Sequence, residues 1–273
     1  MRVWFNGSLL DDPGAAVLGV DDHGLTVGDG VFESVKVVEG QPFALTRHLD
    51  RLSASAAGLG LFAPDLDQVR RGIAAVLDGS PLVLGRLRIT CTAGPAPMGS
   101  GRGTGPATLI VAADSLAPAD ASTAVVRVPW VRNERSAVAG LKTTSYAENV
   151  VALARARQSG ASEAIFANTV GNLCEGTGSN IGYVRDGQVR TPSLASGCLA
   201  GVTRALLLEW CEVVEVDEPV GVLDEAQEVF LVSTTRDVQP VHRVDDRVLP
   251  APGPVTAGLR ETWCARAAES IDP

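Results

Sequence analysis

Lysine is nearly absent from this chain. Of its 23 basic residues only Lys36 and Lys142 are lysine; the other 21 are arginine. Arginine stays charged and cannot serve as an amine nucleophile, whereas a neutral lysine can form a Schiff base with a carbonyl. Lys36 lies in the strand-like run Val35-Lys36-Val37-Val38, where chance placement is a sufficient reading. Lys142 stands in Gly140-Leu141-Lys142-Thr143-Thr144, just ahead of Ser145 and Glu148, whose spacing is that of a capping box. A helix N-terminus is already positive, so a lysine there is poorly placed as a mere surface cation, and the same field favours the neutral amine.

Two further chemistries accompany that amine. Glu175 sits in Cys174-Glu175-Gly176-Thr177-Gly178-Ser179-Asn180, whose small residues would let a flat ring approach the backbone. From its own segment it reads equally as a solvated turn carboxylate. Gly201-Val202-Thr203-Arg204 opens a helix, where free N–H groups and the dipole favour an anion. Thr234 and Thr235, at the end of the run Val232-Ser233-Thr234-Thr235, add hydroxyl donors, and Arg51 in His48-Leu49-Asp50-Arg51-Leu52 could add a cation. A helix-facing arginine is usually just solvated, so each piece is weak alone. As a set, an amine, a carboxylate and a phosphate site are what a pyridoxal 5′-phosphate (PLP) enzyme must provide.

The elements that would position these groups are readable in outline. Val31 to Val38 is strand-like and ends at the turn Glu39-Gly40. Leu45, Leu49, Leu52, Ala56 and Leu59 form one face of a helix, and Asp65 with Gln68 starts a second through Val69, Ile73 and Val76. Leu87, Ile89 and Cys91 alternate as in a strand, and Ala107 to Ala113 reads as a buried one. Between them, Gly94 to Gly105 is a Gly- and Pro-rich loop, and its Gly99-to-Gly105 run is no dinucleotide fingerprint because a strand rather than a helix follows. The stretch Asp114 to Ser122 reads as a linker. Beyond it come a strand at Ala124–Trp130, the helix after Lys142, strands at Glu163–Asn168 and Leu173–Glu175, a hairpin turning at Asp186-Gly187, the helix after Gly201, a strand at Val229–Val232 and a last helix carrying Leu259 and Trp263. The class is α+β with two domains, 1–116 and 117–273.

Composition narrows the function. A net charge of −9 with no basic stripe argues against nucleic acid, though one or two local arginines suffice for a small anionic substrate. No apolar run approaches a membrane span and no signal peptide opens the chain, so a cytoplasmic location is expected. Five scattered cysteines without a CxxC and three separated histidines suggest neither a disulfide framework nor a metal site.

In order along the chain, Gly28-Asp29-Gly30-Val31-Phe32-Glu33, His48-Leu49-Asp50-Arg51-Leu52, Gly140-Leu141-Lys142, Glu163-Ala164, Glu175 with Ser179-Asn180, Gly201-Val202-Thr203-Arg204 and Ser233-Thr234-Thr235 before Pro240-Val241 closely resemble the class IV (fold-type IV) PLP-dependent aminotransferases and lyases. The resemblance implies a D-amino-acid-aminotransferase-like subunit, usually a homodimer, with PLP in the interdomain cleft and a PLP-binding C-terminal domain. It implies that Lys142 carries the cofactor covalently and that Glu175 partners the pyridine nitrogen. Arg51, Val202, Thr203 and Thr234 would hold the phosphate, Ser179 and Asn180 would lie beside the ring, and Tyr146 would be the aromatic that usually follows the lysine. Phe32, Arg102 and Thr235 would line the substrate side, with Arg102 pairing with a carboxylate of the amino substrate. The D-amino-acid group typically has tyrosine in place of Phe32 and an Arg-x-His trap, whereas Gly101-Arg102-Gly103 lacks the histidine. The loop and the compact length resemble 4-amino-4-deoxychorismate lyase, which releases 4-aminobenzoate and pyruvate for folate synthesis. That lyase is the expectation, with a class IV aminotransferase of D- or branched-chain amino acids as the alternative. A non-catalytic PLP binder, or an α+β binding module without cofactor, would share the fold but have no use for the Lys–Glu pair.

Overall fold

Val31, Val35 and Val37 recur at even spacings along Gly30–Val38, and in the computed structural model they lie on one face of a sheet. The structure describes the chain from Met1 to Pro273 apart from residues 80 and 81. The first of two compact units contains β1 (Arg2–Phe5), β2 (Ser8–Leu9), the short α1 (His23–Thr26), β3 (Gly30–Val38), β4 (Gln41–Pro42), α2 (Leu45–Gly58), α3 (Leu66–Leu77), β5 (Leu84–Thr92) and β6 (Thr108–Ser115). Its six strands run antiparallel in the order β2-β1-β6-β5-β3-β4. Val31, Val35 and Val37 of β3 and Leu87, Ile89 and Cys91 of β5 cluster with Leu49, Leu52 and Ala56 of α2 and Val69, Ile73 and Val76 of α3. Each valine, leucine or isoleucine among them contributes about 1.5–3 kcal/mol on full burial. The register Phe32↔Thr90, Ser34↔Arg88, Lys36↔Arg86 then assigns these residues to the opposite face. Asp65 caps α3 as expected, accepting from Gln68 N at 2.9 Å.

The second unit contains β7 (Thr123–Arg132), α4 (Ala147–Gln158), β8 (Glu163–Asn168), β9 (Leu173–Gly176), β10 (Asn180–Arg185), β11 (Gln188–Pro192), α5 (Val202–Trp210), β12 (Val213–Val216), β13 (Glu228–Ser233), β14 (Asp237–Val244), β15 (Arg247–Val248) and α6 (Pro254–Glu269). The sheet runs β12-β11-β10-β13-β14-β7-β8-β9, with β15 on β14. It is mixed: β11 with β12, β14 with β7, and β7 with β8 are parallel. Asp186 and Gly187 turn the β10–β11 hairpin with φ of 52° and 74°, the mirror-image turn that Asp-Gly favours.

Two expectations change here. The units are Met1–Pro118 with Leu141–Tyr146 and Asp272, and Ala119–Gly140 with Ala147–Ile271 and Pro273. A single cut near 116 therefore misassigns Leu141–Tyr146, which pairs with the start of β3. Phe32 N donates to Lys142 O at 3.0 Å, Thr144 N to Gly30 O at 2.8 Å, and Val31 bridges Thr143. Six extended residues have no periodicity that would mark such an excursion. Nor do Ser145 and Glu148 act as the expected reciprocal box: Ser145 Oγ donates to Gly28 O at 3.0 Å, and Glu148 accepts from Arg132 Nη1 at 2.7 Å.

Candidate active site

Lys142 is fixed through its backbone before its side chain does anything. Its N–H donates to Ser55 Oγ at 3.2 Å, its carbonyl accepts from Phe32, and Thr144 Oγ1 donates to Gly28 O at 2.9 Å. Gly28 makes the approach possible: it has φ +71°, and a Cβ there would stand 2.6 Å from Ser145 Oγ. The half-buried lysine carries its Nζ to 4.4 Å from the centre of the Phe32 ring and 5.9 Å from that of Tyr146, and the two rings meet edge to face at 5.3 Å. An ammonium over aromatic faces gains quadrupole attraction while the rings displace water from around it.

On the other side of β3, Glu33 has no exposed surface. Its Oε2 accepts from Arg51 Nη2 at 2.7 Å and faces His48 Nδ1 at 2.7 Å, and its Oε1 accepts from Arg51 Nε at 2.8 Å. Burial works against the charged carboxylate, but the charge and hydrogen bonds of Arg51, aided by His48, override it and hold the pKa at about 2. Burial likewise pushes His48 below the ordinary histidine value, so its imidazole is neutral at pH 7. Arg51, expected to receive a phosphate, is thus forked onto Glu33, which fixes the plane of its guanidinium.

Arg102 differs most from expectation. Its Nε and Nη2 donate to Asp29 Oδ2 and Oδ1 at 2.7 Å each, Nη1 to Gly60 O at 2.6 Å and Nη2 also to Leu59 O at 2.8 Å. The arginine that was to meet a substrate carboxylate already holds Asp29, and with it the C-terminal end of α2. The Arg102 hydrogen bond is the main cause that lowers the Asp29 pKa.

In the second unit, β8 and β9 place Glu175 opposite Phe166. Glu175 Oε1 accepts from Arg132 Nε at 3.2 Å and Oε2 from Leu199 N at 2.9 Å, and Arg132 stacks 4.2 Å from the Phe166 ring centre. The small turn beside it is held by Glu163, which accepts from Gly178 N at 2.6 Å and from the Thr177 hydroxyl and is paired with Arg236. Asn180 Nδ2 donates to Leu199 O at 2.9 Å. A Cβ on Gly201 would collide with Asn180 Oδ1, so the start of α5 and this asparagine approach as closely as backbone allows. Gly201 gives α5 no side-chain cap, and Thr203 is buried in its first turn. Arg204 is buried too, but its Nη2 is directed to Pro192 O at 2.8 Å and to Glu215. Thr234 and Thr235 lie half-buried in the turn joining β13 to β14, where Ser233 pairs with Asp237.

Sequence reasoning thus missed Arg132 altogether, and it gave no role to Asp29, Glu33 and Glu163, although these stand in motifs that carry the resemblance. Arginines outside recognised motifs in a chain with 21 of them carry no signal, and a carboxylate in a strand gives none of its burial away.

The family model for amino-transferase class IV matches residues 30–244. The chain belongs to this family. A D-alanine aminotransferase from Bacillus licheniformis is 30% identical over 273 residues, covering 95% of each chain. The bifunctional aminodeoxychorismate lyase / D-amino acid transaminase of Mycobacterium tuberculosis is 30% identical over 281 residues, 92% of this chain and 93% of that one. The solved structure of a fold IV-transaminase from Curtobacterium pusillum superposes with a TM-score of 0.84 at 31% identity, covering 96% of this chain and 92% of that one. The fold is accordingly that of the fold-type IV enzymes, and the family's cofactor is PLP.

The residues present fit that cofactor. Ser179 Oγ is a buried hydroxyl without a hydrogen-bond partner, beside the Gly176–Asn180 turn where the ring was expected. The uncapped start of α5 offers N–H groups to a phosphate, and Glu175 has both oxygens oriented by fixed donors.

Proposed function

We propose that the chain is a PLP-dependent aminotransferase for small amino acids, in which Lys142 is the covalent anchor and the base. The observation that carries this is the lysine's placement: one of only two in the chain, stitched to β3 and directed onto Phe32. When bound, PLP supplies an electron sink for charge developing at the substrate α-carbon. Lys142 Nζ would hold the cofactor and, as a neutral amine, would take and return the substrate α-proton. Glu175, positioned by Arg132 and Leu199 N–H, would face the pyridine nitrogen and favour its protonated form. Val202 and Thr203 at the start of α5, with Thr234 and an edge of Arg51, take the phosphate, and Ser179 and Asn180 border the ring. Phe32 and Thr235 lie on the substrate side.

The lyase is the second reading, favoured by the similarity to the bifunctional M. tuberculosis enzyme. It rested on the Gly101-Arg102-Gly103 loop, the compact length and Phe32 in place of a tyrosine; of these the loop arginine, which was to meet the substrate, is occupied by Asp29, and the aminotransferase is therefore put first. Purified protein should transfer amino groups from D-alanine or a branched-chain amino acid to a 2-oxo acid. Brisk pyruvate release from aminodeoxychorismate without such transfer would replace it with the lyase. Replacing the anchor in K142A should abolish the visible absorbance of covalently held PLP and cut turnover by ~10²–10⁴-fold; unchanged colour would remove the assignment. The subunit is taken to work as a homodimer in the cytoplasm; among the described residues no helix is long and apolar enough to cross a membrane.

A further inference from the structure

An amino acid presents a carboxylate as well as an amine, and the arginine expected to receive it is otherwise engaged. Arg102 makes four hydrogen bonds, two of them to a carboxylate already present. A substrate would have to displace Asp29 and uncap α2 to reach it.

Arg88 has the complementary properties. It lies on β5 opposite Ser34, one pair along from Phe32↔Thr90, on the face of the sheet away from α2 and α3. Its guanidinium carbon stacks 3.9 Å from the centre of the Phe32 ring, the same ring that Lys142 Nζ approaches at 4.4 Å. Stacking orients the guanidinium plane without consuming an N–H, because Phe32 has no acceptor. Among the described residues the only hydrogen bond that Arg88 donates is a long one, Nε to Thr90 Oγ1 at 3.3 Å, and no carboxylate pairs with it. The side chain is exposed on this face, yet crowding around the guanidinium lowers its pKa, with burial the main cause. A bound carboxylate would offset that penalty on the guanidinium charge.

We propose that Arg88, oriented by Phe32, is the residue that binds the substrate carboxylate. The amine that works at the α-carbon and the cation that holds the adjoining carboxylate then rest on one aromatic side chain. Phe32 sets their spacing, so it acts as a positioning residue. The inference rests on the aminotransferase reading and specifies its substrate contact.

The test is a calorimetric titration of the PLP-loaded protein with propanoate and with propanamide, alongside KM and kcat for D-alanine and a branched-chain donor. Wild type should bind propanoate and not propanamide. R88L should weaken propanoate binding and raise KM by about 10- to 100-fold, the worth of a charge-assisted pair, with kcat much less affected. R88K should recover part of the affinity, since it restores charge without the fork. R86L, two residues along the same face, and R102L should both bind propanoate as wild type does. Propanoate affinity unchanged in R88L, lost in R102L, or missing in wild type would overturn the proposal. PLP content, read from absorbance before each titration, separates the two levels: wild type that takes up no PLP sinks the underlying reading, whereas normal loading with an indifferent R88L sinks the Arg88 assignment alone.

Discussion

Glu33 is the residue whose chemistry is least visible in its neighbours along the chain and most consequential in the fold. A carboxylate with no exposed surface must be compensated, and Arg51 and His48 do so. Its folded pKa of about 2 lies below the ordinary carboxylate value, so the stabilisation is full above about pH 4.5 and is lost as pH falls towards 2. His48 acts in the same direction: a base that binds its proton less readily folded than unfolded also makes acid favour unfolding. Acid unfolding of wild type should therefore steepen below about pH 4.5, on the order of 3 kcal/mol coming from Glu33. E33Q should flatten that acid limb while costing about 3 kcal/mol at pH 7, because an amide leaves Arg51 uncompensated. Denaturant titrations between pH 3 and 7 check both, and parallel curves for the two proteins would contradict the assignment. A companion test at the other carboxylate, E175Q, should retain PLP but lose most turnover; near-normal activity would remove Glu175 from the mechanism. At this scale Lys142 stands out in the sequence because rarity and context coincide, whereas Glu175 reads from its own segment equally as a solvated turn carboxylate and is singled out only as one of a set. Arg51 was legible as a cation but not as Glu33's partner, since pairing across 18 residues depends on how α2 lies on β3.

Among elements, helices with a 3.6-residue stripe and strands with alternation were readable because their burial is one-sided. Leu49, Leu52 and Ala56 fall on the buried face of α2, and Asp65 caps α3. What periodicity cannot carry is a segment too short to repeat. The four-residue α1 went unseen, as did the pairing of Leu141–Tyr146 with β3. Arg102 is the corresponding case for a loop. Gly94–Gly105 reads from composition only as a Gly- and Pro-rich loop, yet its arginine ties it to Asp29 and to the carbonyls of Leu59 and Gly60 just beyond α2, where a cation also complements the helix dipole. R102L should leave the thermal midpoint within a few degrees of wild type, because the arginine is partly exposed and its contacts are peripheral. Limited proteolysis should nonetheless cut this loop markedly faster, and equal cleavage rates would show that the clip does not restrain it.

For the molecule as a whole, the family assignment, the α+β class and the order of motifs followed from the sequence, because the groups that handle one cofactor recur in a fixed order. Assembly is a separate matter. Val17, Leu18, Val20 and Leu25 leave large apolar surface exposed in the first unit, Val20 with 86% of its area accessible. A patch of this kind commonly marks an interface. Light scattering should return twice the 28.3 kDa chain mass, and V20E should shift it towards the single-chain value; a monomeric wild type would refute the dimer. The route of the chain carries one more implication. Residues 141–146 fold with the amino-terminal portion although 119–140 and 147–271 surround them in the gene. No contiguous piece ending near residue 118 therefore contains Lys142, the proposed anchor, and expressing it alone would strip Gly30 and Phe32 of their backbone partners. Exchange of halves between relatives, in the laboratory or over evolution, must carry that hexapeptide separately or bring in a foreign lysine with the wrong bed beneath it.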